Sequence, residues 1–413
     1  MVVKVKEVRE GYKMTELGEI PIEWEIKTIS DLTKVKTGGT PSKSKPEYWV
    51  NGKIPWMSSG EINYKRIHKV KEKITELGFQ NSNTTLLPTN TIMMAMNGQG
   101  KTRGTVAMLH IDTTCNQSLA GILPSDKYNS EYLFYYLESQ YEALRSITGE
   151  GRSGLNLSLI RSFPVIFPSL KEQQKIAEIL STVDHQIDNT NQLIAETKEL
   201  KKGLMQQLLT KGIGHTEFKQ TELGEIPVSW KIYQQGEIAT FYNGRAYKQA
   251  EFKNEGTPIV RIQNLTGERE PVYSDLLLEE NKYIDNGDLI YAWSATFGPY
   301  IWRGAKSIYH YHIWKVEVKE GCLDKLFFYY RLDHISNEMN SQKNGSAFAH
   351  LTKGSMESYK ISLPPLKEQQ KIAEILSTVD NQIESYEQEK EKYTELKKGL
   401  MQQLLTGKIR VTV

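Results

Sequence analysis

Two stretches of the chain carry a helical pattern of apolar positions. Apolar residues step by four and three through Ile176, Leu180, Val183, Ile187, Ile194, Leu204 and Leu208. They do so again through Ile372, Leu376, Val379, Ile383, Leu400 and Leu404. This spacing lays one apolar stripe along a helix, a coiled-coil seam, which Thr190, Thr197 and Lys201 interrupt midway in the first stretch. Pro164 and Pro168, and Pro364 and Pro365, end the preceding structure, because proline cannot sit in a helix interior. Residues 171–210 then hold no proline and a single glycine. The pattern therefore predicts a rod of roughly 60 Å at 1.5 Å per residue. The same periodicity also suits two ordinary amphipathic core helices.

Residues 27–169 and 233–365 read differently. Short runs rich in Tyr, Trp, Thr, Val and Ile are broken by Gly and Pro, which predicts many short strands in mixed α/β domains. Near the end of each lies an aromatic helical patch, Tyr132–Leu137 and Leu326–Tyr330.

The helical stretches are copies of each other. Leu170–Asp184 returns unchanged as Leu366–Asp380, and Glu199–Thr210 as Glu395–Thr406, both offset by 196 positions. Met14–Ile26 returns with few changes as Gln220–Ile232, offset by 206, so the second half is about ten residues shorter between these markers. The frame is duplicated and the inserts have diverged. This divides the chain into a first domain over 1–169, a first spacer helix over 170–212, a second domain over 213–365, and a second helix with its tail over 366–413. Identity on every helical face, exposed Lys and Gln included, favours a repeated outer surface that binds a repeated partner.

Composition narrows the class. With 38% hydrophobic and 25% charged residues, the chain can bury real cores. Lys and Arg number 52 against 50 for Asp and Glu, so any basic surface must be local. Cys115 and Cys322 are too few for a disulfide framework and read as buried thiols. The charged N-terminus and the lack of a long apolar run point to the cytoplasm.

Catalytic motifs are sparse. Ala95–Thr102 satisfies a loose phosphate-loop pattern, but Arg103–Met108 reads as another strand rather than a helix, so a basic hairpin reaching toward DNA fits better. His310 and His312 alternate on an expected strand and project to one face; without acidic or Cys companions they read as structural or surface histidines. No nucleophile elbow, zinc-protease or amino-methyltransferase motif stands out. Segments mixing Lys or Arg with aromatic, hydroxyl and amide residues suit phosphate anchoring and base reading. In the first insert these are Thr40, Ser42, Lys43, Lys45, Trp56, Ser58, Ser59, Lys101, Arg103, Asn116, Gln117 and Arg152. In the second they are Arg245, Tyr247, Lys248, Arg261, Gln263, Asn264, Trp293, Ser294, Thr296, Trp302, Arg303, Lys343, Asn344 and Ser346.

Three segments carry a family resemblance: Pro365–Leu376 with its copy Leu170–Leu180, the Leu-Gly-Glu-Ile-Pro-x-x-Trp segments at Leu17–Trp24 and Leu223–Trp230, and Gly38–Ser42 followed by Ile54–Trp56. Along essentially its whole length the chain resembles the specificity subunit of type I restriction-modification systems. Phe167-Pro168-Ser169 departs from the family-like Leu363-Pro364-Pro365 at the helix start. The resemblance implies an α+β fold with two target-recognition domains separated by two long antiparallel coiled-coil helices in a pseudo-twofold repeat. It implies a non-catalytic subunit that reads a bipartite, asymmetric site on double-stranded DNA, with half-sites about 34–36 Å apart. Two adenine methyltransferase subunits dock on the frame and restriction subunits join them. The chain itself holds no cofactor or metal; S-adenosylmethionine, ATP and magnesium belong to the partners. A subunit of a related fused or stand-alone methylation system, a nuclease or ATPase, and a coiled-coil adaptor that never touches DNA are the alternative readings.

Overall fold

The structure, a computed structural model, describes residues 8–98, 102–147, 154–267, 270, 272–294, 297–341 and 352–413. Its contacts divide the chain into two compact units, Met1–Asn191 with Gln388–Val413, and Gln192–Glu387. The boundary cuts both long helices, Leu170–Lys211 and Leu366–Leu404, so each unit holds part of each.

Both units are built on the same frame. A hairpin opens each one: Tyr12–Thr15 pairs with Gly18–Pro21, and Phe218–Thr221 with Gly224–Pro227. Gly18 and Gly224 turn these hairpins with φ of +98° and +89°, a backbone region that suits glycine. The next strand, Glu25–Thr28 or Lys231–Gln234, pairs with the strand that feeds the long helix, Pro164–Phe167 or Lys360–Leu363. Trp24 and Trp230 are buried behind this pair, and each indole N–H donates to the first-turn carboxylate of a long helix, Glu172 at 3.3 Å and Glu368 at 3.2 Å. The neighbouring Gln173 and Gln369 are fully buried. Each donates to a proline carbonyl five residues back and accepts the amide that begins the aromatic helix, Asn129 N–H or Asp324 N–H. Part of the identity between the repeats thus serves internal bonding.

The apolar stripe of the helices is split between the two cores. In the first unit Ile176 and Leu180 share a core with Trp24, Tyr132, Leu404 and Leu405. In the second Ile372 and Leu376 share one with Trp230, Phe327, Leu208 and Leu209. Within each unit, then, the opening turns of one long helix lie against the closing turns of the other, antiparallel. Val183, Val379 and Ile383 are buried, whereas Ile187, Ile194, Leu204 and Leu400 are half-buried.

The inserts share a topology. In the first, an antiparallel sheet runs in the order Val35–Thr37, Leu119–Ile122, Ile92–Ala95, Val106–Leu109, with Arg66–Ile67 added in parallel at the edge. In the second the order is Ala239–Asn243, Ile313–Val318, Leu289–Ala292, Gly298–Ile301. A smaller sheet accompanies each, with one parallel pair: Thr114–Cys115 beside Ile54–Met57, and Ser307–Tyr309 beside Thr257–Val260. Cys115 is buried and its thiol is pushed up to about 12 by burial; Cys322 is half-buried, against the expectation of two buried thiols.

Candidate nucleic-acid interface

Where the parallel strand of the small sheet crosses to the central strand of the large one, both units make the same turn. In the first unit it is Asn116–Ser118, in the second His310–His312. Four backbone bonds recur at matching positions. Asn116 N–H donates to Met57 O at 3.2 Å, and His310 N–H to Val260 O at 2.9 Å. Gly39 N–H donates to Cys115 O at 2.9 Å, and Arg245 N–H to Tyr309 O at 3.1 Å. Met96 N–H meets Ser118 O at 2.9 Å, and Trp293 N–H meets His312 O at 3.1 Å. Leu119 N–H and Ile313 N–H close the turn on Asn116 O and His310 O at 3.3 and 2.9 Å. A glycine lets the neighbouring strand approach in each case. A Cβ on Gly38 would lie 1.8 Å from Cys115 O, and one on Gly244 would lie 2.3 Å from His310 O.

These contacts correct the expectation for the histidines. His310 and His312 do not alternate on a strand. Tyr311 N–H bonds to Arg245 O at 3.0 Å, and the chain turns there, bringing the two imidazoles edge to face at 4.9 Å. Burial, with His312 and Arg261 adding to it, lowers His310 to about 4; burial also lowers His312. Both rings are neutral at neutral pH. Trp293 backs the turn, its indole N–H donating to Tyr311 O at 2.8 Å. Its ring stacks on Trp314, which stacks on Tyr291, both buried.

Several candidate reading residues gather around these turns. Thr40 donates to the Gln117 side-chain carbonyl at 2.6 Å, and both residues are exposed. Tyr247 lies over His310 with ring centroids 6.5 Å apart, and Lys248 is exposed nearby in sequence. Arg245 spends its guanidinium on Glu251 at 2.7 and 3.2 Å.

Other candidates have structural tasks. Trp56 is buried and donates to Gly39 O at 2.9 Å, so it cannot reach a base. Ser58 caps a short helix through Glu61 at 2.8 Å. The Asn264 carbonyl accepts Arg261 N–H at 2.9 Å, and the Gln263 amide oxygen, turned toward Arg261, accepts from its guanidinium at 2.9 Å. Trp302 donates to Ala305 O at 3.0 Å, and Arg303 lies 3.8 Å from Glu384 on the long helix. Lys43 pairs with Glu72 and sits 3.4 Å from the centre of the Trp49 ring. Lys45 donates to Tyr48 at 3.1 Å, and Ser42 shares a bond with Ser44 at 2.8 Å. Ser59, Arg103, Asn116 and Ser294 are half-buried. Lys101, Arg152, Thr296, Lys343, Asn344 and Ser346 lie outside the described residues. The phosphate-loop pattern falls between two antiparallel strands, Ile92–Ala95 and Val106–Leu109, not before a helix.

The family description for the type I restriction modification DNA specificity domain matches residues 21–199 and 227–395, that is, both inserts with most of the long helix that follows each. The chain belongs to this family. It is a DNA-recognition subunit. The MjaVIII specificity subunit of Methanocaldococcus jannaschii is 28% identical over 423 residues, covering 97% of this chain and 96% of the relative. The Escherichia coli EcoBI specificity subunit is 28% identical over 183 residues, 44% of this chain and 39% of its own. In fold the chain is similar to the S subunit from M. genitalium, with a TM-score of 0.58 at 17% identity, covering 97% and 99% of the two chains.

The specificity subunit also carries a repeated polar cluster that sequence reading missed. In the first unit Lys397 bridges Asp184 at 2.8 Å and Glu138 at 2.9 Å, and Tyr135 donates to Asp184 at 2.7 Å. In the second Lys201 meets Asp380 at 2.6 Å, and Tyr330 donates to Asp380 at 2.8 Å. The signal was present: these Lys and Asp residues fall in the unchanged repeats, and the tyrosines in the paired aromatic patches. Beside each cluster opens a recess, of about 420 Å³ by Lys398, Met401, Gln402 and Thr406, and about 690 Å³ by Lys202, Met205, Gln206 and Thr210. These lining residues are the same four, repeated.

Proposed function

We propose that this subunit has no active site of its own and reads a two-part, asymmetric DNA site, one part with each insert. Two adenine methyltransferase subunits dock on it, one at each copy of the frame, and an ATP-driven restriction subunit joins them. S-adenosylmethionine, ATP and magnesium belong to those partners, and the assembly works on cytoplasmic DNA. The observation that supports this reading is that the same strip of the long helix, Lys398, Met401, Gln402 and Thr406 or Lys202, Met205, Gln206 and Thr210, lines a recess in each unit while the reading turns differ. A repeated surface suits two copies of one partner, and unlike turns suit an asymmetric site.

Reconstitution with the methyltransferase subunit tests it. The expected complex contains two methyltransferase chains per specificity chain by native mass measurement, and it methylates a two-part non-palindromic motif. Hydrolysis of ATP or DNA by the purified chain alone, or a complex with a single methyltransferase at saturation, would contradict it.

A further inference from the structure

We propose that the matched turns, Asn116–Ser118 and His310–His312, are the base-reading elements of the two half-sites, and that their different side chains make the site asymmetric. This rests on reading the chain as a DNA-recognition subunit. Three observations carry it beyond that reading.

Four backbone bonds recur in the two turns while the side chains differ at every position. Four hydrogen bonds and a close-packed glycine anchor each turn, joined by Ser118 N–H donating to Asn116 Oδ1 at 3.1 Å in the first and Tyr311 N–H to Arg245 O at 3.0 Å in the second. The side chains of Gln117, Tyr311 and His312 can therefore change without moving these anchor points. A rigid seat with exchangeable polar side chains is what base reading needs, since hydrogen-bond recognition tolerates little positional error.

The side chains also have the right donors and acceptors. Gln117 is exposed, and Thr40 fixes its amide through the carbonyl oxygen, leaving the Nε2 donors and a second lone pair on the oxygen. That set matches the N7 and N6 edge of adenine in the major groove. In the second unit Tyr311 is 40% exposed between two neutral imidazoles, each offering one donor and one acceptor. The stacked column of Tyr291, Trp314 and Trp293 roots this turn in the core.

The charge around the second turn suits DNA. The charged neighbour acting on His310 is Arg261, and Arg245 hydrogen-bonds the turn through its backbone. The nearby carboxylate, Glu251, is held by Arg245. The cationic Arg261 beside this turn favours the approach of a phosphate backbone.

The test uses the full subunit assembled with its methyltransferase partner and reads the methylated motif by sequencing. Gln117→Ala should relax the first half-site at one or two positions, lowering discrimination there by about ten-fold or more, with the second half-site unchanged. Tyr311→Ala with His312→Ala should do the converse. Because Gln117 is exposed, its variant folds, and unaltered reading of the opposite half-site reports an intact complex in each case. An unchanged motif in both variants would overturn the assignment of the turns while leaving the DNA-recognition role intact. Absence of any sequence motif with the unsubstituted complex would overturn that role, and the assignment with it.

Discussion

The two units share a frame but balance its charges differently. At the first cluster Lys397 and Lys65 both pair with Glu138, and Arg66 joins Tyr135 at 3.0 Å and holds Glu131 with two bonds of 2.7 Å. At the second, Asp333 occupies the sequence position of Glu138, and Lys201 pairs with Asp380 as Lys397 does with Asp184. The consequences run in opposite directions. Burial works to raise the Glu138 carboxyl, but Lys397 and Lys65 outweigh it and hold it low. Burial raises Asp333, and Lys201 and neighbouring Asp380 pull on it in opposite senses without cancelling that rise. A duplicated scaffold can thus keep its fold while its two copies drift apart in electrostatics, because the apolar core carries most of the stability.

The largest effect should be the one that treats both units alike. Leu180→Ala and Leu376→Ala each empty a fully buried site and should each cost about 2–5 kcal/mol. Denaturant titration of both variants checks this, and a large disparity would break the equivalence of the two cores. Lys397→Met and Lys201→Met should separate the units. The first removes a cation shared by two half-buried carboxylates, which keep Lys65 and Tyr135 as partners, and should cost about 2–3 kcal/mol, whereas the second removes one from a single carboxylate and should cost less than half as much.

The carboxylates sharpen the contrast through pH. Glu138 is depressed in the folded chain, so its contribution is present above the unfolded value near 4.5 and is lost as pH falls through the folded value. Glu138→Gln should therefore destabilise by about 1–3 kcal/mol at pH 7 and by progressively less as pH falls below 4.5. Asp333 is raised, so the folded state holds its proton longer than the unfolded one, and its contribution turns unfavourable as pH rises from 3.8. Asp333→Asn should be neutral or stabilising at pH 7, with no benefit below pH 4. Melting curves across pH decide between these signs. Smallest of all, Lys248→Ala should weaken DNA binding evenly across sequences and reduce the salt slope by about one, as expected for a phosphate contact. A changed motif would instead place Lys248 among the base readers.

The long helices were legible because their period and their exact repetition agree, and the inserts because short β-rich runs stand between turn residues. Side-chain tasks were less so. Trp56 reads as an exposed reader by composition, yet its indole finds the Gly39 carbonyl inside the core, a contact 17 residues away in sequence. The run from Tyr309 to Trp314 alternates like a strand, and bonds to Arg245, Val260 and Trp293, all distant in sequence, hold it in a turn. Gln173 and Gln369 look like surface residues of a helix but are buried under the aromatic helices they hold in place. Each of these depends on long-range pairing, which local pattern does not encode.

The central claim is that one frame, used twice, carries two unlike readers. A fragment spanning residues 1–211 tests it most directly. It lacks Lys397, Leu404 and Leu405, which complete the first unit. Its own Lys201, Leu208 and Leu209 occupy the same positions in the repeated segment, so a second copy of the fragment can supply them. The expected result is a dimer by light scattering and, with the methyltransferase subunit, methylation of a palindromic site made of two first half-sites. A stable monomer, or a dimer that still methylates the asymmetric parental site, would contradict it.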